Sequence, residues 1–93
     1  MTKQEELIEW LKNQEKHHRK NESNIKERIF ADVMQLVDLR LTNTNWDDLL
    51  IFVENYAKKP ESNMVGVHAL LQAYKKIYQK MLSLNKKWKK TLK

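Results

Sequence analysis

Ninety-three residues make one small domain, and the single glycine (Gly66), single proline (Pro60) and absence of cysteine exclude a turn-rich β-fold, a disulfide framework and a thiolate metal site. An apolar fraction of 41% is too high for a fully disordered chain. The net charge of +6 is unevenly placed: residues 1–61 carry ten basic and twelve acidic side chains, whereas residues 62–93 carry eight lysines and no acid.

The first element begins at a capping box. Thr2 is followed three residues later by Glu5, and Leu7, Ile8, Trp10 and Leu11 form one apolar patch of a helix predicted over 3–19. Residues 12–24, KNQEKHHRKNESN, are entirely polar. Asn21, Ser23 and Asn24 favour a break there over one continuous helix. His17 and His18 are adjacent and diverge by about 100° on a helix, so they read as a solvated polar face and not as metal ligands.

A second helix is predicted over 24–41. Ile25, Ile29, Phe30, Val33, Met34, Leu36, Val37 and Leu41 make a broad stripe, as a central, well-buried helix requires. Thr42 to Asn45 is a turn, with Thr44 the expected N-cap of a third helix over 45–58. Asp47 and Asp48 suit the positive end of its dipole. This helix is apolar on nearly every side from Leu49 to Phe52, and it ends before Pro60.

Ser62 is the expected cap of the last helix, over 63–90. Val67, Leu70, Tyr74, Ile77, Met81, Leu84 and Trp88 recur at spacings of 3 and 4, which is three heptads of a packing seam. The lysines avoid every seam position. At 1.5 Å per residue this helix is about 42 Å long and the third about 21 Å. The far end of the seam therefore needs cover from the first helix, through Leu7, Trp10 and Leu11, or from a second copy of the chain. The expected fold is an all-α, small four-helix bundle with a long, basic C-terminal helix, one domain over 1–93. The second and last helices lie at its centre. A homodimer is expected, with contacts at Met81, Leu84 or Trp88 or in the apolar middle of the third helix.

The chemistry of catalysis is missing from the sequence. There is no glycine-rich phosphate loop, no cysteine nucleophile, and no serine in a nucleophile elbow. No enzyme activity, catalytic residue, cofactor or metal is expected. A helix-turn-helix reading fails because the would-be recognition helix opens with two aspartates, which would face phosphates. The absence of a signal region or long apolar run leads to the expectation of a soluble, cytoplasmic protein. Its lysine-rich composition is similar to that of many small proteins of low-GC bacteria and their phages, a likeness that carries no activity.

The residues singled out for partner binding are Lys75, Lys76, Lys80, Lys86, Lys87, Trp88, Lys89 and Lys90. The leading expectation is a protein-binding regulator, an inhibitor or accessory factor, that meets an acidic partner through an exposed helix face. The alternative is weakly sequence-specific nucleic-acid binding through the same lysines, since arginine, the better base reader, is absent after Arg40. The plainest reading is that the lysines serve solubility and the helix dipole.

Overall fold

A computed structural model describes residues 1–91, with side chains through Lys89. It contains four helices: α1 (Lys3–Arg19), α2 (Ile25–Leu41), α3 (Trp46–Ala57) and α4 (Val65–Thr91). No strand occurs among the described residues, and none of their helices is long and apolar enough to cross a membrane.

Local chemistry sets the helix starts. The Thr2 hydroxyl accepts from the Glu5 backbone N–H (3.1 Å), and the Glu5 carboxylate accepts from the Thr2 backbone N–H (2.9 Å). That reciprocal pair completes the capping box, and the Thr2 backbone bond holds the Glu5 carboxyl below its ordinary range. Asn24 caps α2 by accepting from the Lys26 N–H, so α1 and α2 are separate helices. Two caps differ from expectation. Asn45, not Thr44, caps α3, because its side chain reaches the Asp48 N–H at 2.8 Å. Ser62 accepts from the Met64 N–H and so ties the loop before α4, which begins at Val65 and not at 63.

Successive helices reverse direction. α2 and α4 run side by side through the centre, α1 packs against both, and α3 packs mainly against α4. The buried cluster draws on every helix: Leu7 and Leu11, Met34 and Val37, Leu49 and Val53, Ile77, Met81 and Leu84. α4 sets the 44 Å long axis. Its seam is buried from Tyr74 to Leu84 and continues into a half-buried Trp88. Val67, the first seam position, is 38% exposed, because the buried side at that end is carried by Ala69, Leu71 and Ala73 instead. α1 supplies the cover that α3 is too short to give: Leu7 and Leu11 share one cluster with Met81 and Leu84.

Two stripes are less buried than their pattern suggests. On α2, Ile25 and Leu36 lie outside the core, together with Leu39. α1 and α4 cover only part of the circumference of α2, and α3 leans away from it. On α3, Leu49 is fully buried while Ile51 is 60% exposed.

The α1–α2 elbow is polar and closed. Arg19 bonds Asp32 (2.8 Å) and Gln35 (3.0 Å) on α2 and Glu15 (3.3 Å) on its own helix. His18, expected on a solvated face, is buried: its Nδ1 bonds Glu27, and its ring packs 5.0 Å from that of Phe30. No cluster of three or more metal-ligating side chains forms among the described residues.

Two measurable consequences arise here. Burial pushes the Asp38 carboxyl above its ordinary range, with attraction from Lys12 opposing and repulsion from Glu15 adding to it. A carboxyl raised in the folded state costs stability as pH climbs from its unfolded value through its folded one, and the cost persists at neutral pH. Asp38→Asn is therefore expected to raise Tm at pH 7, and the advantage should disappear in acid, where both proteins carry a neutral side chain. Gly66 lies in the first turn of α4, where an added Cβ would meet only the Ile29 Cδ1 at 3.7 Å, an ordinary contact. Gly66→Ala is expected to stabilise the fold by about 0.5–1 kcal/mol, seen as a higher denaturation midpoint.

Candidate partner-binding surface

The lysines of α4 divide into two groups according to what lies beside them. α1 runs antiparallel to α4, and one row of lysines faces it. Lys76 donates to the Gln14 side chain (2.7 Å), Lys80 lies 5.8 Å from the Trp10 ring, and Lys87 donates to the Glu6 carboxylate (2.8 Å). The Lys87 bond is the main reason the Glu6 carboxyl lies below its ordinary range, with Lys80 and the Trp88 indole adding to it. These lysines fasten α1 to α4. Their acid-free helix left them without partners in sequence, but the fold brings Glu6 to Lys87 across 81 positions.

The second group points away from the bundle. Lys75, Gln79, Leu82, Lys86 and Lys89 follow one another at spacings of 4, 3, 4 and 3, which is one helix face. Lys75 is 3.6 Å from Glu61. Lys86 and Lys89 are exposed, and neither makes a hydrogen bond or ion pair among the described residues. Between them and Lys75 stands Leu82, 43% exposed. The side chain of Lys90 lies outside the described residues. Trp88 packs against the core cluster, and a shallow cleft beside it is lined by Lys3, Asn85 and Lys89.

No family model, curated protein or solved structure matches this chain. The surface itself therefore has to carry the functional reading.

The other aromatic side chains are packing elements. Tyr74 stacks on Tyr56 with centroids 4.5 Å apart and meets Phe52 edge-on at 5.9 Å. Tyr78 donates to Glu54 (2.9 Å), a bond that raises the phenol and lowers the carboxyl from their ordinary values. Trp46 is buried, with the Lys3 ammonium 4.3 Å from its ring centroid.

One surface was not singled out from the sequence. Leu36 and Leu39 are 48% and 57% exposed beside Arg40, whose guanidinium lies 3.9 Å from the centre of the Phe52 ring. With Asn43 and Thr44 they line a shallow cleft. The signal for it was the i, i+3 spacing of Leu36 and Leu39 on the side of α2 opposite Met34, hidden within an apparently continuous apolar stripe.

Proposed function

We propose that this protein is a binding module that engages a protein partner through the outward face of α4, acting as a regulator of what it binds and not as a catalyst. The observation that carries this reading is the pairing of an exposed aliphatic side chain, Leu82, with two exposed and unpaired lysines, Lys86 and Lys89, on one rigid helix. An apolar centre with a charged rim is the usual anatomy of a protein contact, and the lysines select an acidic counterpart.

Nucleic acid is the less favoured ligand. Three of the α4 lysines expected to meet phosphates, Lys76, Lys80 and Lys87, are engaged with α1 instead. A pull-down through a salt series tests the choice. The double variant Lys86→Gln/Lys89→Gln is expected to melt like the wild type and to bind its protein partner several-fold more weakly. Material that co-purifies with absorbance at 260 nm and is released by high salt would favour the nucleic-acid reading. Affinity unchanged by the double variant would reduce the lysines to solvated surface.

A further inference from the structure

On α3, Asp47, Ile51 and Glu54 follow one another at spacings of 4 and 3, one helix face, and Glu54 bonds Tyr78, which lies one turn from Leu82 on α4. Three contacts fix the heights of the two antiparallel helices: Tyr78 bonds Glu54, Tyr74 stacks on Tyr56, and Lys3 reaches both the Asn85 side chain (2.9 Å) and the Trp46 ring. By that register Ile51 stands within about one helical turn of the height of Leu82, and Asp47 within about one turn of that of Lys86. Ile51 and Leu82 are the exposed aliphatic side chains of α3 and of the second half of α4, at 60% and 43%. Asp47 makes no ion pair or hydrogen bond among the described residues, whereas the adjacent Asp48 points about 100° further round α3 and accepts from the Asn45 side chain (3.1 Å). The face therefore carries one acid without an ion pair on α3, two lysines without one towards the same end of α4, and an apolar side chain on each.

We infer that the acidic surface these lysines meet is that of a second copy of the chain, docked α3 to α4 about a two-fold axis parallel to the helices. The inference rests on the reading of the α4 face as a protein-binding surface and names its occupant. Rotation about such an axis keeps every height and exchanges left for right. It sets Ile51 against Leu82 of the second copy, and Asp47 against its Lys86, with its Lys89 about one turn beyond. Because the contact is isologous, each pairing occurs twice. A broad acidic partner laid over the same face would meet Asp47 as a like charge, whereas a second copy meets none of that repulsion. The seam residues Met81 and Leu84 take no part, since they lie in the core beside Leu7 and Leu11. The +6 charge of each chain opposes association at long range. That repulsion is screened over about 8 Å at physiological ionic strength, so contacts at the interface decide the outcome.

Sedimentation equilibrium of the whole chain at physiological salt tests the inference. The expected result is a reversible dimer of twice the 11.3 kDa chain mass. Ile51→Lys, at an exposed position, is expected to weaken it at least about tenfold while leaving thermal unfolding of the monomer unchanged. Two charge-swapped chains provide the sharper measurement. Asp47→Lys and Lys86→Asp/Lys89→Asp should each fail to self-associate, because each places like charges at both ends of the contact. Mixed in equal amounts, they should form a heterodimer, since each chain then meets its complement twice. A chain that stays monomeric into the millimolar range, a dimer indifferent to Ile51→Lys, or a mixture that does not associate would each overturn the inference. Capture of a different protein that still depends on Lys86 and Lys89, by a chain that is monomeric, would overturn this occupant and leave the proposed function standing.

Discussion

Replacing Leu11 with alanine is expected to destabilise the fold by about 2–5 kcal/mol, the range for truncating a fully buried leucine. Leu11 has no solvent exposure and shares its cluster with Met34, Met81 and Leu84. In a domain of this size each kcal/mol moves Tm by about 4–8 °C, so the variant should melt at least about 8 °C lower. The result decides how α4 is covered. α1 is mostly polar, and its hold on the bundle rests on few apolar side chains, chiefly Leu7 and Leu11, with ion pairs and hydrogen bonds around them. If Leu11→Ala melted like the wild type, α1 would not be docked and Met81 and Leu84 would lie open. Leu82→Ala, on the outward face of α4, is the matched control and should change the stability of the monomer by less than about 0.5 kcal/mol.

Tyr74→Ala is expected to have an effect of similar size, about 3–5 kcal/mol, judged from the truncation of large buried aromatic side chains. Tyr74 is 2% exposed and sits where α3 joins α4. Its ring stacks on Tyr56 and meets Phe52, and Phe52 in turn carries Arg40 from α2. Removing the ring takes the centre from an assembly that links three helices. Chemical denaturation followed by the fluorescence of the three tryptophans measures the loss. Tyr74→Phe keeps the ring and removes a hydroxyl that burial, with a contribution from Tyr56, holds above its ordinary pKa. A phenol raised in the folded state costs stability as pH rises through its ordinary value and on to its folded one. The phenylalanine variant should therefore resist alkaline unfolding better than the wild type.

What could be read in the sequence was mostly what neighbours in sequence decide. Thr2 with Glu5, and Asn24 before a new apolar run, mark helix starts because a cap needs only the next three residues. The cap at Asn45 was displaced by one residue because Thr44 and Asn45 are chemically equivalent candidates and only backbone direction selects between them, whereas α4 begins beyond Ser62, whose hydroxyl bonds the Met64 N–H in the loop. Tyr74, Ile77, Met81 and Leu84 were legible as core because a long 3-and-4 spacing has one solution. The partners of the lysines were not legible. That Lys87 meets Glu6 while Lys86 meets nothing depends on which side α1 packs against, and a one-residue step around α4 changes the answer. His18 shows the same limit: its polar neighbours pointed to solvent, but the elbow folds it under Phe30 against Glu27.

The antiparallel pairing of α1 with α4 also shapes how the chain folds. Contacts within the α1–α2 and α3–α4 hairpins close short loops, and helical domains rich in such local contacts fold on the microsecond to millisecond scale. The bonds from Lys3 to Asn85 and from Lys87 to Glu6 instead join positions 82 and 81 apart. Closing so long a loop carries the larger entropic cost, so these links are expected to form after the local hairpin contacts. Loosening them should leave the refolding rate almost unchanged and shorten the lifetime of the native state, so that the two ends of the chain set its kinetic endurance.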